Sequence, residues 1–378
     1  MVSCSNSVMV LTTFLAVMVS SPAIALDKRP TVNDRVKLNE DFSYQGEYLG
    51  NLDSNIPWSN TEVVGLQVIA LGDGLFDAVV YLGGLPGSGW NGIKGKLSGE
   101  RTGDYLDLQG SSYHIIVESG SALVFQLFGG QPLGQLAKVN RASPTLGSLP
   151  PVGARVLFNG TGVEHLQDGR MTDDSLLREG VTTKQTYRDY WLHLEFRLPY
   201  MPNAKGQARA NSGVYLQSRY EVQILDSFGL EGLDHECGGF YKHRKPNVNM
   251  CLPPLAWQTY DIKFRAPRFD AGGNKTRHAR ISVWHNGVPI HHNVSLTGKT
   301  GSGAEEGPKP LPIRLQDHGN PVRFRNIWIF DYNEASPQTI PRITEPPVQS
   351  PPLTSSPSQF APYEYSRDTK AKRAYWLR

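Results

Sequence analysis

The sequence is poor in cysteine and carries little net charge, and both features narrow what the protein can be. Three cysteines occur in 378 residues. None belongs to a C-x-x-C pair, which argues against a cysteine-based zinc site. The formal net charge is +3, and the stretch 361–378 carries all of this surplus. A nucleic-acid-binding domain would concentrate Lys and Arg on its folded surface, so that class of protein is excluded.

Long hydrophobic runs are also scarce. The run VMVLTTFLAVMV at 8–19 is too short to cross a bilayer as an ordinary helix. Ala23-Ile24-Ala25 follows with the small-x-small pattern of a signal-peptidase site. The sequence therefore predicts a signal peptide over 1–25 and a secreted or periplasmic protein with no transmembrane segment after cleavage. An uncleaved N-terminal anchor is the alternative, because no Lys or Arg precedes the run.

Several common catalytic motifs are missing from the chain. G-x-S-x-G and the P-loop are both absent, which leaves serine-hydrolase and P-loop nucleotide chemistry without support. No long stretch has the period of an amphipathic helix, whereas glycine (38) and proline (27) are abundant. Short apolar runs separated by glycine-containing turns predict an all-β protein.

The spacing of these runs divides the chain into parts. Residues 26–141 predict a small antiparallel β domain whose role the sequence does not define. The segment 142–151, rich in Pro and Ser, predicts a linker. Residues 152–332 carry longer alternating strands and predict a β-sandwich of jelly-roll size. Residues 333–378 predict a disordered tail rich in Pro and Ser with a basic end, for which weak electrostatic contact with an acidic envelope surface is the functional alternative.

Two segments of the second half place polar residues on one face. In the segment 220–225, Val222 and Ile224 alternate with polar neighbours and are expected in the core. The segment 313–318 alternates in the same way. The resulting polar face consists of Glu221, Gln223, Arg314, Gln316 and His318. Such a face can bind sugar hydroxyls and move protons, whereas an ordinary solvated outer face is the bland alternative.

The second half contains an ordered series of motifs that together resemble one known family. The series is Val156-Leu-Phe-Asn-Gly160, Leu177–Lys184, Trp191–Pro199, Asn211-Ser-Gly-Val-Tyr-Leu216, Tyr220–Ser227, Trp257-Gln-Thr-Tyr-Asp261, Ile313–Asn320 and Arg323-Phe-Arg-Asn-Ile-Trp328. Across 152–330 this order resembles the 3-keto-disaccharide hydrolase domain family, which has a concanavalin A-like lectin/glucanase sandwich. One departure is His165, where relatives often have Trp.

The resemblance implies an enzyme acting on 3-keto-glycosides, and the residues fit that chemistry. The Glu221 strand carries one carboxylate, whereas retaining glycosidases need a closely spaced pair. A ketone at C3 acidifies the C2 proton, so one base can start elimination of the C1 group, and water then adds. His318 or Glu221 is the expected base, and Arg314, Arg323 or a divalent cation held by Glu221 and His318 is expected to stabilise the enolate. The predicted substrate-binding residues are Asn211, Gln223, Arg314, Gln316, Asn320, Arg323 and Tyr241.

Two other readings of the second half remain open. One is a non-catalytic carbohydrate-binding module, and the other is a structural envelope protein with the same sandwich.

Cys4 would leave with the signal peptide, so Cys237 and Cys251 form an even pair in an oxidising compartment, and a disulfide between them is expected. His291 and His292 follow a predicted hairpin and are expected to be exposed to solvent.

Overall fold

The computed structural model describes residues 38–53, 63–118, 120–127 and 130–333. The predicted signal peptide, and the predicted tail beyond Asn333, lie outside the described residues. Within them, strands dominate, and the helices are two short 3-10 turns at Glu40–Ser43 and Gly206–Ala208. The prediction of an all-β protein is confirmed.

The first eight strands form a closed antiparallel barrel. Each strand pairs with the next along the chain, and β8 pairs with β1, so no free edge is left to pair with another chain. Val64, Leu66 and Val68 alternate along β2 and fill the interior. The barrel strands are β1 (Gly46–Leu52), β2 (Val63–Gly72), β3 (Leu75–Leu82), β4 (Lys94–Thr102), β5 (Tyr105–Gly110), β6 (Tyr113–Glu118), β7 (Ser121–Gln126) and β8 (Pro132–Val139).

The second half contains a five-stranded sheet with the order β10-β12-β21-β14-β15. Non-consecutive strands lie side by side in it, so segments far apart in the sequence meet on one surface. Its strands are β10 (Leu166–Gln167), β12 (Val181–Thr186), β14 (Ser212–Leu216), β15 (Tyr220–Ile224) and β21 (Pro312–Leu315).

A seven-stranded sheet faces the same core. Its path is β11-β22-β13-β16-β19-β20, with β9 also paired to β22. Its strands are β9 (Arg155–Phe158), β11 (Leu177–Arg178), β13 (Asp189–Arg197), β16 (Trp257–Arg265), β19 (Ala279–His285), β20 (Val288–Leu296) and β22 (Arg323–Asp331). A small ribbon of β17 (Arg268–Phe269) and β18 (Lys275–Arg277) lies apart from both sheets.

The two sheets share one hydrophobic core. Leu194 and Phe196 of β13 belong to the same buried cluster as Val222 and Ile224 of β15. Because strand side chains alternate between faces, Glu221, which directly precedes Val222, lies on the outer face of the five-stranded sheet. By the same alternation, the outer face of the seven-stranded sheet carries the polar residues of β13.

The barrel packs directly against this second half. Ile69, Val79 and Tyr81 point out of the barrel and join the core cluster of the two sheets. At the same junction, Arg209 Nη2 donates a hydrogen bond to the carbonyl oxygen of Ala70 at 3.2 Å. The barrel is therefore attached to the two sheets by apolar burial as well as by the chain itself.

The segment between the two parts is bound to the outer face of the seven-stranded sheet. The hydroxyl group of Thr145 donates to Asp261 Oδ2 at 2.7 Å, and the amide of Gly147 donates to Glu195 Oε1 at 2.6 Å. The indole of Trp328 donates to the carbonyl oxygen of Ser148 at 3.0 Å. These bonds hold the middle of the predicted linker in a fixed position.

The predicted disulfide is wrong for this structure, because Cys237 and Cys251 are both free thiols and both buried. The sulfur of Cys237 lies 3.2 Å from the hydroxyl group of Tyr260, and the thiol of Cys251 faces the carbonyl oxygens of Leu225 and Leu252. The two thiols lie within hydrogen-bonding reach of each other, so the even count of cysteines predicts their proximity but not their oxidation. No helix in the described parts of the chain is long and apolar enough to cross a membrane.

Candidate active site

Three strands of the five-stranded sheet bring three reactive side chains into one row. Tyr215 in β14 is paired with Arg314 in β21 on one side and with Glu221 in β15 on the other. Residues paired across antiparallel strands put their side chains on the same face, with β-carbons about 4.5–5.5 Å apart. The row therefore joins a guanidinium group, a phenol and a carboxylate on the outer face of the sheet.

The carboxylate of Glu221 is held in one position by its neighbours. The hydroxyl group of Tyr215 donates to Glu221 Oε2 at 2.8 Å. The guanidinium group of Arg314 lies over the Tyr215 ring, 4.1 Å from its centre, and Gln316 Nε2 reaches the same hydroxyl group at 3.4 Å. A β-carbon on Gly213 would lie 2.5 Å from Glu221 Oε1, so the carboxylate occupies the space that this glycine leaves open.

Burial controls the protonation of this carboxyl group. Glu221 is 3 % exposed, and burial raises the pKa of its carboxyl group to about 7, against the opposing effects of the Tyr215 hydrogen bond and the Arg314 charge. Near neutral pH the group is present in both protonated and ionised forms. Such a carboxyl group can accept a proton and return it, which is the requirement for a general acid–base catalyst.

A second row lies next to the first. Gly213 is paired with Gln223, and the amide of Gln316 donates to the carbonyl oxygen of Gly213 at 2.9 Å. Asn211 immediately precedes β14 and donates through Nδ2 to the carbonyl oxygen of Gln207 at 2.8 Å. The sequence-predicted residues Asn211, Gln223, Arg314 and Gln316 thus lie on or beside the strands that carry Glu221.

Several polar atoms around these rows have no partner within the described part of the chain. They are Asn211 Oδ1, Gln316 Oε1 and Arg314 Nε, and all three are buried. Buried polar atoms without a hydrogen bond cost roughly 1–3 kcal/mol each, so a site that collects them is arranged for something else to bond to them. Two acceptors and one donor match the mixed donor and acceptor capacity of sugar hydroxyl groups.

Tyr241 borders the same carboxylate from a loop. A β-carbon on Gly301 would lie 2.9 Å from Tyr241 Cδ1 and 3.6 Å from Glu221 Oε2, so the ring edge and the carboxylate face a common space. Tyr241 is half-buried. Gly301 has a φ of +41°, which favours glycine and keeps this space free of a side chain.

Three predicted residues are placed differently. His318 is exposed on the turn after β21, and within the described residues its side chain makes no hydrogen bond or ion pair. Asn320 Oδ1 accepts from the backbone amide of Asn211 at 2.7 Å, so its role there is to position that residue. Arg323 belongs to the seven-stranded sheet, where its guanidinium group pairs with Glu179 at 2.7 Å.

The suggested cation site of Glu221 and His318 has no further support in the geometry. Among the described residues, no group of three or more His, Cys, Asp and Glu side chains could hold a metal ion.

Sequence reasoning missed two parts of the site. One is Tyr215: an aromatic residue there could stack on a sugar or pack in the core, yet it bonds to the carboxylate. The signal was the alternation of Asn211, Gly213 and Tyr215, which places all three on the Glu221 face. Nothing in the sequence pattern identifies Gly301, because its loop is remote from both strands along the chain.

Comparison with known proteins identifies the family of the second half. The sequence profile of the 3-keto-alpha-glucoside-1,2-lyase-like domain matches residues 153–330. A solved protein from Parabacteroides distasonis, described as a candidate glycosyl hydrolase, is 32% identical over 48% of this chain and 84% of its own, with a TM-score of 0.43. The chain belongs to this family. The family domain spans both sheets and contains the entire Glu221 row.

A second Parabacteroides distasonis protein with the same description is 26% identical over 47% of this chain and 98% of its own, with a TM-score of 0.34. No curated protein matches the chain. Family membership supports a glycosidase-like, carbohydrate-related enzyme in general terms.

Proposed function

We propose that this protein cleaves 3-keto-glycosides, with Glu221 as the catalytic acid–base. The observation that carries the proposal is the buried Glu221 carboxyl group, with a pKa raised to about 7, beside unpaired donors and acceptors on one sheet face. The family's description as lyase-like and the relatives' description as candidate glycosyl hydrolases point to the same substrate class. We also propose that the two sheets form a jelly-roll sandwich of the concanavalin A type. The predicted signal peptide would export the protein.

The reaction begins at C2 of the oxidised sugar. Glu221 removes the C2 proton, and the electron pair of that C–H bond forms an enolate whose charge rests on the C3 oxygen. The C1–O bond then breaks as the enolate collapses to a ketone conjugated to a C1–C2 double bond. The leaving oxygen takes the proton that Glu221 holds. Water finally adds to C1 and a proton returns to C2, so one water molecule is consumed and the glycosidic bond is hydrolysed.

Neighbouring side chains support each stage. The Arg314 guanidinium group, with its unpaired Nε, is placed to stabilise the enolate oxygen. The Tyr215 hydroxyl group orients the Glu221 carboxylate, and Asn211 and Gln316 offer acceptors for hydroxyl groups. The row Arg314–Tyr215–Glu221 contains a single carboxylate, which suits proton abstraction beside a ketone and not double displacement.

The test is turnover of a 3-keto-disaccharide beside the same disaccharide before oxidation. Wild-type protein is expected to cleave the oxidised sugar and leave the unoxidised one intact. Glu221→Gln is expected to lower turnover by about 10²-fold or more, the scale for losing a general acid or base. Glu118→Gln, an exposed change in β6 of the barrel, is the matched control and should keep full activity.

The pH dependence provides an internal check. Because Glu221 must be ionised to accept the C2 proton, kcat/KM should rise with pH through about 7 and then level off. Equal cleavage of both sugars, or normal turnover in Glu221→Gln, would contradict the proposal. Binding of the oxidised sugar without turnover would indicate a carbohydrate-binding module instead.

A further inference from the structure

A large cavity lies on the opposite side of the sandwich from Glu221. It has a volume of about 1040 Å³ and is bordered by the barrel end, the segment 140–149, the loop 253–256 and the outer face of the seven-stranded sheet. None of its lining residues belongs to the Glu221 site. Its volume lies just above the range, about 300–1,000 Å³, that is usual for pockets holding small organic molecules.

The walls of this cavity are largely apolar. The apolar side chains of the lining include Phe42, Leu146, Leu149, Leu255 and Trp257. Leu149 is 86 % exposed although it borders the cavity, so the apolar surface is open to a ligand. An apolar chain or ring that covered these side chains would gain roughly 25 cal/mol per Å² of surface removed from water.

Most charges in the walls already have partners. Arg325 Nε donates to Glu195 Oε2 at 2.7 Å, and Asn326 Nδ2 and the amide of Gly147 bond to the other carboxylate oxygen. Across the cavity, Arg141 Nε donates to Glu47 Oε2 at 2.6 Å in a fully buried ion pair. These pairs neutralise the carboxylates of the lining.

Lys138 is the exception. Its ammonium group donates to the carbonyl oxygen of Ser43 and lies 5.7 Å from the centre of the Tyr48 ring. Within the described residues it has no carboxylate partner, and nearby Asp41 is bonded to Arg101. Burial lowers the pKa of Lys138 to about 8, because desolvation destabilises its charged form. A bound anion would offset that loss of free energy.

We propose that this cavity binds an amphipathic carboxylate, with its carboxylate on Lys138 and its apolar part against Leu146, Leu255 and Trp257. The site is separate from the Glu221 site, and the inference does not depend on the proposed activity. Such a ligand supplies what the cavity lacks, namely one negative charge at Lys138 and apolar surface for the remaining walls.

The experiment is calorimetric titration of the full chain with octanoate and, separately, with 1-octanol. At pH 7 octanoate is expected to bind about tenfold more tightly than octanol, because only octanoate pairs with the ammonium group. In Lys138→Met the two ligands should bind alike, and retained octanol binding would show that the cavity is intact. Lys96→Met is the matched control, since Lys96 is exposed and pairs with Glu231 away from this cavity.

The wild-type protein alone provides a second readout. As pH rises from 7 to 10, Lys138 loses its proton, so octanoate affinity should fall while octanol affinity stays constant. Near pH 8, octanoate binding should take up a fraction of a proton, measured by comparing buffers of different ionisation enthalpy. The proposal is overturned if octanoate fails to bind at millimolar concentration, if octanol binds equally well, or if octanoate affinity does not change between pH 7 and 10.

Discussion

At the scale of single residues, Glu221 shows how a strand can hold an acid in an unusual state. Its backbone position follows from alternation in β15, which the sequence predicts. Its burial follows from Tyr215 beside it and from the glycines at 213 and 301, which leave just enough room for the carboxylate. Alternation shows which face a side chain occupies, but not what later covers that face.

A stability measurement tests this burial without any substrate. Because the folded-state pKa of Glu221 is raised to about 7 from an ordinary value of 4.5, ionisation costs free energy in the folded state and little in the unfolded state. The free energy of unfolding should therefore fall as pH rises from 4.5 to 7, by up to about 3 kcal/mol from this group. Glu221→Gln lacks that loss, so its stability relative to wild type should increase by this amount between pH 4 and pH 8.

Urea denaturation at the two pH values measures the change. Glu118→Gln provides the comparison for an exposed carboxyl group and should show no such pH-dependent difference from wild type. A gap between wild type and Glu221→Gln that does not change with pH would mean that the carboxyl group is not perturbed by burial.

Histidines illustrate what the sequence could not supply at this scale. His318 was an expected base from its place in an alternating strand, but the strand ends at Leu315 and His318 is exposed beyond it. His291 was expected to be exposed, yet it is buried, stacks on Phe240 at 4.0 Å and bonds to the carbonyl oxygen of Gly238 at 2.7 Å. Both outcomes depend on strand ends and on loops from distant parts of the chain.

At the scale of elements, the outer face of β13 is the clearest case of a surface closed by a connecting segment. His193 Nδ1 lies 2.7 Å from Asp261 Oδ1, and its ring stacks on Trp328 with centres 5.0 Å apart. The segment 143–148 lies over this cluster and bonds to Asp261 and Glu195. Alternation along β13 separates the inner leucines from the outer polar residues. Composition, however, does not reveal that the Ser- and Pro-rich segment covers the outer ones.

Because of the cluster around His193, we expect a second dependence of the unfolding free energy on pH. Burial disfavours the charged form of His193, but hydrogen bonds to Asp261 and Glu195 outweigh it and raise the pKa of His193 to about 9. A raised histidine pKa contributes stability that is fully present below the unfolded value of about 6.5 and is lost as pH rises through 9. Wild-type protein should therefore lose up to about 3 kcal/mol of unfolding free energy from this group between pH 6.5 and 9.5.

The measurement is the difference in unfolding free energy between wild type and His193→Gln across that window. The difference cancels the titration of Lys138, which both proteins share. His292→Gln, an exposed histidine of β20, is the control and should follow wild type at every pH. If the difference between wild type and His193→Gln stays constant from pH 6.5 to 9.5, His193 is not charged in the folded protein.

At the scale of the whole molecule, the barrel and the two sheets are packed together. The sequence predicts an antiparallel β domain at the N-terminal end. Closure into a barrel depends on the pairing of β1 with β8, and nothing in their two sequences indicates that these strands pair. The attachment depends on Ile69, Val79 and Tyr81, outward-facing apolar residues that alternation alone would assign to the solvent side. The motif order across the second half was more informative, because the family match covers residues 153–330.

The cavity at the junction and the Glu221 site belong to opposite sides of this assembly. One face of the family domain is left free for the proposed chemistry, while the other is occupied by the barrel and the segment that follows it.

The most direct test of the central claim is the origin of the hydrogen at C2 after cleavage. A 3-keto-disaccharide is cleaved by wild-type protein in D₂O, and the released 3-keto-sugar is analysed by mass spectrometry after exchange of its hydroxyl groups in ordinary water. Uncleaved substrate and free 3-keto-sugar incubated without protein measure spontaneous exchange. In the proposed mechanism Glu221 removes the C2 proton and solvent returns one, so the product should carry one carbon-bound deuterium above that background. A product with no deuterium beyond the background would show that the C1–O bond breaks without proton abstraction at C2, and would contradict the assignment of Glu221.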